Sequence, residues 1–548
     1  MALDHGPNDW WRRAVLYQVY PRSFQDTNGD GIGDLQGIER RLDYLSALGV
    51  DAVWISPFFK SPMKDFGYDV EDHRAVDPLF GTLDNFKTLL NAAHERGIRI
   101  MIDLVLSHTS NAHAWFRDAR LSSDSKYSDC FVWADARPDG GPPNNWLSIF
   151  GGPAWTWEPR RCQYYLHNFL SSQPDLNFHN QAVQQEALDI ARWWLDLGVD
   201  GFRLDTVNFY FHNLSLQDNP PSGRRDTQVV SNSNPYGFQE HLYDKNQPEV
   251  LSFLDRLGHL LAEYPGSIAL GEIGAEREWA DDLMAMYSTP GRLQLCYTFD
   301  LLSDAFSPDH FKRVIGIENG TPLWRCLSFS NHDVVRSATR FSQDDSERPA
   351  MSKLAMALLL ALPGTPCLYQ GDELGLPEAE VPFAKLVDPY GIAFWPTFKG
   401  RDGCRTPMPW NTDANAGFTK HDVPAWLPVS DEHLPLSVSE QLKTESSVLN
   451  LVKGLMRVRA EEAGFAGDEV RFYEGTDAVL MFDRLGAGGT VRCIFNLSRD
   501  KHTIQLDRST VWSTLIGQRG IVVSKEALVE MPPLGWAYLK ADLAPMKP

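Results

Sequence analysis

The 548-residue sequence has few cysteines, no long apolar run and no excess of positive charge. Its seven cysteines are odd in number and form no CxxC pair, which argues against a disulfide framework and a zinc site. No apolar stretch approaches the roughly 18 residues of a membrane span. A formal net charge of −21 repels phosphate backbones. We therefore expect no membrane and no nucleic acid among its partners, and a reducing cytoplasm as its location.

The N-terminal segment Met1–Pro7 has neither a basic n-region nor an apolar h-region, so we expect no export signal. Hydrophobic residues make up 43% of the chain, and its length suits two or three domains with one large core. Seventeen tryptophans and an aromatic content of 11% allow two interpretations. The aromatic side chains pack in a core, or some of them form flat faces against sugar rings.

Eight short apolar or β-branched runs alternate with amphipathic stretches such as Leu83–Arg96, Gln181–Leu197 and Val448–Ala463. This alternation predicts a (β/α)₈ barrel, an α/β fold with eight parallel strands. The predicted strands are Val15–Tyr20, Ala52–Ile55, Ile98–Leu104, Gly201–Asp205, Ile268–Glu272, Leu295–Phe299, Cys326–Ser330 and Pro366–Tyr369.

The spacing of these elements is uneven. The long interval after the third strand is rich in Gly, Pro, Asn, Trp and Tyr and predicts an inserted domain B. A second insertion, about 378–428, follows strand eight. Near the C-terminus, Ala478–Phe482 and Thr490–Phe495 predict short strands of an antiparallel β-sandwich. We predict a barrel from 1–106 and 178–465, domain B from 107–177, and the sandwich, domain C, from 466–548.

Three predicted strand ends carry carboxylates: Asp205, Glu272 and Asp333. If one parallel barrel holds these strands, the three groups meet at the same mouth. Neighbouring carboxylates resist ionising together, so such a cluster suits acid–base, nucleophilic or metal chemistry.

Alternation along a strand puts Arg203 and Asp205 on one face, where the arginine would keep the aspartate ionised as a nucleophile needs. A buried structural Arg–Asp pair is the alternative. Glu272, beside other negative charges, would have a raised pKa and could donate a proton, although a solvated strand-end glutamate is also possible. Asp333 and His332 could hydrogen-bond neighbouring hydroxyls. An acid beside an ionised carboxylate is the layout of a retaining glycoside hydrolase, which requires a separation of about 5–5.5 Å.

Four motifs in order carry a family resemblance: Asp103-Leu-Val-Leu-Ser-His108, Gly-Phe-Arg203-Leu-Asp205, Glu272 and Asn331-His332-Asp333. Together they resemble the α-amylase family (glycoside hydrolase family 13). The motif Arg405-Thr-Pro-Met-Pro-Trp is similar to that of bacterial α-glucosidases, oligo-1,6-glucosidases and α-glucosyltransferases.

The resemblance implies a role for each matched position. Asp205 would be the nucleophile, Glu272 the general acid/base, and Asp333 the ligand of two hydroxyls of the glucose ring. Arg203 would hold Asp205. Further residues would bind the substrate: His108, His332, Tyr68, and an Asp65–Arg405 pair that closes the pocket around the non-reducing end and makes the enzyme exo-acting.

Specificity rests on fewer positions. In the family, Val after the nucleophile accompanies α-1,6 cleavage, whereas Ala or Thr accompanies α-1,4 cleavage; Thr206 therefore predicts α-1,4 bonds. Phe150 and Phe169 of domain B could shape an acceptor site. We expect small α-glucosides as substrates, alcohols as acceptors and a monomer or homodimer.

The segment from Asp26 to Asp34 alternates oxygen-bearing residues as an EF-hand loop does, but its twelfth position is Gly37 instead of Glu. The resemblance implies instead one structural Ca²⁺ or Mg²⁺. A turn without metal is the alternative. The implied ligands are Asp26, Asn28, Asp30, the Ile32 carbonyl and Asp34.

The leading hypothesis is thus a retaining, exo-acting α-glucosidase that transfers glucose to water or to alcohols. Alternatives on the same fold are an oligo-1,6-glucosidase, a sucrose- or trehalose-forming isomerase, or a phosphorylase. A sugar-binding homologue without catalysis is disfavoured, because all three carboxylates are present.

Overall fold

The computed structural model describes residues 7–223, 230, 232–315, 324–473 and 477–542. The strands of these residues are β1 (Leu16–Val19), β2 (Ala52–Ile55), β3 (Phe59–Lys60), β4 (Asp72–Val76), β5 (Arg99–Leu104), β6 (Trp133–Ala134), β7 (Trp155–Glu158), β8 (Gln163–Leu166), β9 (Gly201–Leu204), β10 (Ile268–Ile273), β11 (Leu295–Thr298), β12 (Cys326–Leu327), β13 (Thr365–Tyr369), β14 (Glu469–Phe472), β15 (Val479–Gly486), β16 (Gly489–Asn496), β17 (His502–Gln505), β18 (Val511–Gly517), β19 (Leu528–Met531) and β20 (Trp536–Asp542).

The α-helices of the same residues are α1 (Pro21–Phe24), α2 (Leu35–Arg40), α3 (Leu42–Leu48), α4 (Leu83–Glu95), α5 (Ala114–Ala119), α6 (Gln181–Asp196), α7 (Val250–Ala262), α8 (Arg277–Tyr287), α9 (Pro308–Val314), α10 (Ser337–Arg340), α11 (Arg348–Ala361), α12 (Pro389–Phe394), α13 (Val438–Lys443) and α14 (Val448–Glu461). The predicted amphipathic stretches correspond to α4, α6 and α14.

Eight parallel strands form a nearly closed barrel in the order β11-β10-β9-β5-β2-β1-β13-β12. Each of the eight predicted strands overlaps one of them, so the predicted (β/α)₈ fold is confirmed. The order follows the chain from β1 to β11 and returns through β12 and β13, as right-handed crossovers through helices produce.

Local sequence sets the helices around the barrel. Thr82 accepts a hydrogen bond from the backbone N–H of Asn85, whose side chain bonds back to Thr82, a capping box that starts α4. The buried residues of α4 recur at three- and four-residue spacing and face the sheet: Phe86, Leu89, Leu90 and Ala93.

Side-chain alternation divides the core into two layers. Phe202 and Leu204 of β9 point outward into the large core shared with the helices. Trp54, Leu270 and Tyr297 instead belong to the cluster that fills the barrel interior. The intervening Arg203 therefore projects inward, toward the mouth of the barrel.

Two further sheets lie outside the barrel. The insertion after β5 contains the antiparallel sheet β6-β8-β7, and the C-terminal region contains the sheet β14-β15-β16-β20-β18 and the pair β17-β19. These sheets fit the predicted insertion and C-terminal β domain, while the residue limits given above stay predictions.

All seven cysteines are free. Within the part of the chain that the structure describes, no helix is both long and apolar enough to cross a membrane.

Candidate functional site

Strand register brings the polar residues of the barrel mouth together. Asp103 of β5 lies opposite Arg203 of β9, and Glu272 of β10 lies opposite Tyr297 of β11. Asp205 follows directly after β9. Because parallel strands present their carboxyl ends at one rim, these side chains share one site.

Arg203 is the centre of the site and is 1% exposed. Its Nη1 lies 2.9 Å from Asp103 Oδ1 and 2.6 Å from Asp205 Oδ1. Its Nη2 lies 2.6 Å from Glu272 Oε1 and donates to the Tyr297 hydroxyl at 2.7 Å. The sequence predicted only the contact with Asp205. One guanidinium in fact holds both carboxyl groups, so they can flank a single bond.

Glu272 is buried and accepts hydrogen bonds from the Tyr297 hydroxyl at 2.7 Å and from the backbone N–H of Thr206 at 3.1 Å. Burial raises the pKa of Glu272 to about 7, Arg203 opposes this shift, and the negative charge of Asp205 adds to it. The predicted raised pKa thus agrees with the structure. A carboxyl group of this kind can hold a proton near neutral pH.

Asp205 departs from its prediction. Arg203 does lower the pKa of Asp205, but burial outweighs it and raises that pKa to about 7. The charge of Asp103 acts in the same direction as burial. The expectation that Arg203 keeps Asp205 ionised took no account of burial, which the sequence does not show and which outweighs the effect of the arginine. The cluster therefore retains protons near neutral pH.

Asp333 is the most accessible of the three carboxylates, with 24% of its side chain exposed. Arg405 Nη2 lies 2.9 Å and Arg401 Nη1 3.3 Å from its Oδ1, and His332 Nε2 lies 3.2 Å from Oδ2. Burial raises the pKa of Asp333, but the electrostatic attraction of His332, Arg401 and Arg405 outweighs burial and holds that pKa below its usual range. Asp333 is therefore ionised and can accept hydrogen bonds from hydroxyls.

His332 is held by Gln18, whose Nε2 lies 2.8 Å from the ring Nδ1. Burial lowers the pKa of His332 to about 3, so the ring is neutral. Tyr68 stacks on this ring at 5.2 Å between centroids and donates its hydroxyl to Asp103 Oδ2 at 3.0 Å. Tyr68 and His332 therefore form one side of the site.

The predicted Asp65–Arg405 pair is absent from the ion pairs of the described residues. Asp65 Oδ1 instead lies 2.9 Å from Arg401 Nη2. Arg401 also pairs with Asp388 at 2.8 Å. Arg405 turns to Asp333 and donates from Nε to the His332 carbonyl at 2.7 Å. Packing explains this difference, because the Arg405 guanidinium lies over the Tyr20 ring, 5.4 Å from the ring centroid.

His108 lies beside Tyr68, with both ring nitrogens near protein partners. Nε2 is 2.8 Å from the Tyr68 carbonyl and Nδ1 is 2.8 Å from Ser107 Oγ. Its predicted contact with a sugar stays a prediction. The Phe169 ring packs against His108 and Phe150, with 5.0 Å and 5.9 Å between the ring centroids.

The ring centroids of Phe150 and Tyr390 lie 5.2 Å apart, and the Arg401 guanidinium carbon lies 5.0 Å from the Phe150 centroid. The structure thus places the two predicted phenylalanines of domain B as one aromatic wall beside the arginine that reaches Asp65 and Asp333.

Thr206 hydrogen-bonds to both Asp205, the candidate nucleophile, and Glu272, the candidate acid. Its backbone is left-handed, with φ of 39°, a conformation that β-branched residues rarely adopt. Its N–H donates to Glu272, and its hydroxyl donates to Asp205 Oδ2 at 3.2 Å. A strained residue that bonds to both carboxyl groups is typical of a functional site.

Sequence reasoning missed several residues of the site. Tyr297 shares the inner face of its strand with Leu295, so alternation along β11 could have found it. Arg401, Asp388 and Gln18 had no comparable signal, because the first two lie in an irregular insertion and the third in an apolar strand.

The loop from Asp26 to Asp34 folds through its own hydrogen bonds. Asp26 accepts from the N–H groups of Gly29 and Gly31, and Asp34 accepts from Thr27 and Gly37. The predicted ligands are all oxygens, which suits a hard divalent cation. Across the described residues, however, no three His, Cys, Asp or Glu side chains form a group that could hold a metal.

The remaining predicted ligands also bond within this loop. Asn28 Oδ1 accepts from the N–H of Asp30 at 2.9 Å, and Asp30 Oδ1 accepts from the N–H of Ile32 at 2.9 Å. Lys420 Nζ donates to the Asn28 carbonyl at 2.9 Å. A bound cation would serve only to fix the loop next to α2, which begins after Asp34.

Comparison with known proteins agrees with this geometry. A sequence model of the alpha-amylase catalytic domain matches residues 18–467. A probable alpha-glucosidase of Rhizobium meliloti is 50% identical over 504 residues, or 91% of each chain. An oligo-1,6-glucosidase of Heyndrickxia coagulans is 36% identical over 490 residues, or 82% of this chain and 85% of that one. A solved α-glucosyl transfer enzyme, XgtA, superposes with a TM-score of 0.93 at 50% identity, covering 97% and 99% of the two chains.

Proposed function

The chain belongs to the α-amylase family of glycoside hydrolases, and from this premise we propose that it is an exo-acting α-glucosidase with a preference for α-1,4 bonds and a capacity for glucosyl transfer. Enzymatic glucosidase activity follows from the family and from its named relatives. The observation that supports a retaining mechanism for this activity is the bridge from the Arg203 guanidinium to Asp205 and Glu272.

In the proposed reaction, Glu272 donates its proton to the glycosidic oxygen while Asp205 attacks the anomeric carbon and the aglycone leaves. The glucosyl–enzyme bond forms with inversion. Water or an alcohol, deprotonated by the now ionised Glu272, attacks the same carbon and releases Asp205. Two inversions give net retention. Asp333 and His332 hold the sugar hydroxyls as the ring distorts.

Exo action is supported by the cluster of charges at the end of the site. Arg401 connects Asp65, Asp333 and Asp388, and it is 7% exposed. We infer that this cluster closes the pocket at the non-reducing end, so that a sugar chain does not extend past it. A maltooligosaccharide whose terminal O4 and O6 carry an acetal should therefore resist cleavage, whereas an endo-acting enzyme would cut it internally.

The linkage preference depends on Thr206. Its hydroxyl fills the space between Asp205 and Ser107, with distances of 3.2 Å to each. Thr206→Val removes this polar group without changing the shape of the side chain. We expect the ratio of kcat/KM for maltose over isomaltose to fall about tenfold or more, since one hydrogen bond to a charged group is worth about 1.5–3 kcal/mol. An unchanged ratio would contradict the proposed role.

Transfer is supported by the aromatic wall of Phe150 and Phe169, which offers a face to an acceptor alcohol or phenol. Phe150→Ala should lower the transfer-to-hydrolysis ratio for a phenolic acceptor more than for ethanol. The matched control is Phe238→Ala, a large side chain that is 43% exposed. Equal loss with both acceptors would argue against an aromatic acceptor site.

With all seven thiols unpaired, we also propose a cytoplasmic location.

The single deciding experiment is an anomer-resolved NMR analysis of maltose cleavage. α-Glucose must appear first for the proposed reaction. Initial β-glucose would refute it, and mainly isomerised disaccharide would move the assignment to an isomerase.

A further inference from the structure

A second cavity lies outside the carboxylate cluster. It has a volume of about 380 Å³ and lies between the β3–β4 hairpin, the start of domain B and helix α6. This volume falls in the range of about 300–1,000 Å³ that is usual for small-molecule sites. None of its lining residues belongs to the cluster of Asp205, Glu272 and Asp333.

Two histidines line this cavity with complementary hydrogen-bonding atoms. His73 is 4% exposed, and its Nε2 donates to the Val105 carbonyl at 2.8 Å. Because Nε2 carries the proton in the neutral ring, Nδ1 is an acceptor, and it has no hydrogen-bond partner among the described residues. His113 Nδ1 accepts from the backbone N–H of Trp115 at 3.2 Å, which leaves Nε2–H as a donor.

Both rings are neutral near pH 7. Burial lowers the pKa of His73 to about 4 and that of His113 to about 3. The ring centroids lie 6.0 Å apart. A hydroxyl group can donate to one ring and accept from the other, which neither an ammonium group nor a carboxylate can do.

The charged residues of the rim balance in number, with Lys60, Arg74 and Arg117 against Glu71, Asp72 and Glu186. Lys60 pairs with Glu71 at 3.1 Å, and Arg74 pairs with Glu186 at 2.5 Å. The cavity therefore offers little net attraction to an anion or a cation. Among the described residues, no three His, Cys, Asp or Glu side chains form a group that could hold a metal ion.

The remaining wall is apolar and partly aromatic. Val183 and Ile190 of α6 line one side. Trp115 lines another, with one face stacked on Tyr127 at 5.0 Å. An apolar wall opposite hydroxyl-binding nitrogens suits a ring that has C–H faces and hydroxyl edges.

We propose that this cavity is a second binding site for one neutral sugar ring, such as glucose or a terminal glucosyl unit. The proposal depends on the lining residues and not on the assigned reaction. Its ligand would bind beside the base of domain B, against residues other than Asp205, Glu272 and Asp333.

The test uses the full-length protein with the catalytic pocket saturated by an iminosugar. Saturation-transfer NMR with glucose should then still report binding, and glucose 6-phosphate should bind more weakly. His113→Phe and Trp115→Ala should each weaken glucose binding about threefold to tenfold, the loss of one hydrogen bond or stacking contact. Trp157→Ala, which alters an exposed domain B tryptophan outside the cavity, should leave glucose binding unchanged.

Thermal unfolding establishes that each variant is folded, and kcat/KM on an activated glucoside should stay near that of the parent protein. If one variant fails to fold, the other carries the test. Loss of all glucose signal once the iminosugar is bound would overturn the proposal. So would unchanged binding in the folded variants, or tighter binding of the phosphorylated sugar.

Discussion

Tyr297 provides the sharpest test of how the acid is tuned. Its hydroxyl donates to Glu272 Oε1 at 2.7 Å and accepts from Arg203 Nη2 at 2.7 Å. The bond to Glu272 favours the ionised carboxylate and so lowers the pKa of Glu272, against the larger effect of burial. Tyr297→Phe removes this bond and keeps the ring in the barrel core.

Without the hydroxyl, the pKa of Glu272 rises, and the acid keeps its proton to higher pH. The alkaline limb of the kcat/KM profile should therefore move upward. A hydrogen bond with a net free energy of about 0.5–1.5 kcal/mol corresponds to a pKa change of roughly half a unit to one unit, because one pKa unit is about 1.36 kcal/mol. The assay is kcat/KM for maltose from pH 4 to 10, with chemical denaturation to verify folding.

Tyr210→Phe is the matched control. Tyr210 is also a buried tyrosine near Asp205, but its hydroxyl has no hydrogen-bond partner among the described residues. Its removal should leave both limbs in place. An alkaline limb that stays fixed or moves downward in Tyr297→Phe would refute the proposed tuning, whereas a general loss of activity without a shift would indicate a structural role.

Four further substitutions address other parts of the structure. Asp205→Asn should lower turnover by several orders of magnitude in a folded protein, and near-normal turnover would contradict a role as nucleophile. Glu272→Gln should slow the first step less for glucosides with good leaving groups, and equal losses for good and poor leaving groups would contradict a role as acid. Arg401→Ala should lower the free energy of unfolding by about 3–5 kcal/mol, because Asp388 keeps a buried charge without its partner, and an unchanged urea midpoint would speak against this. CaCl₂ added after chelation should raise Tm, and Asp30→Ala should abolish the rise; a constant Tm in the parent protein would rule out the predicted cation.

The fold could be predicted because its signal is local and repeated. Each barrel strand is a short apolar run, and each strand end that carries a carboxylate is marked by the sequence itself. Parallel pairing then dictates that Asp205, Glu272 and Asp333 lie at one rim. Alternation likewise predicted that Arg203 shares the face of Asp205 while Phe202 and Leu204 point away, as observed.

The partners of the arginines could not be predicted in the same way. Arg401 and Arg405 lie four residues apart in an irregular insertion, so no periodicity distinguishes their directions. Packing decides: the position of Arg405 over Tyr20 turns it to Asp333, and Arg401 is left to meet Asp65 and Asp388. Pairings of this kind depend on tertiary contacts between segments more than 300 residues apart, such as Asp65 and Arg401.

Burial by itself cannot separate the proposed acid from the proposed nucleophile, because it raises the pKa of Glu272 and of Asp205 alike, to about 7. The difference must come from what each group faces during the reaction. As the anomeric carbon becomes positive beside Asp205, that charge favours the carboxylate form of Asp205 and leaves the proton to Glu272. The charge that develops on the substrate thus distinguishes the two proposed roles. A positively charged analogue of the transition state should bind most tightly at the pH at which Asp205 is ionised and Glu272 is protonated.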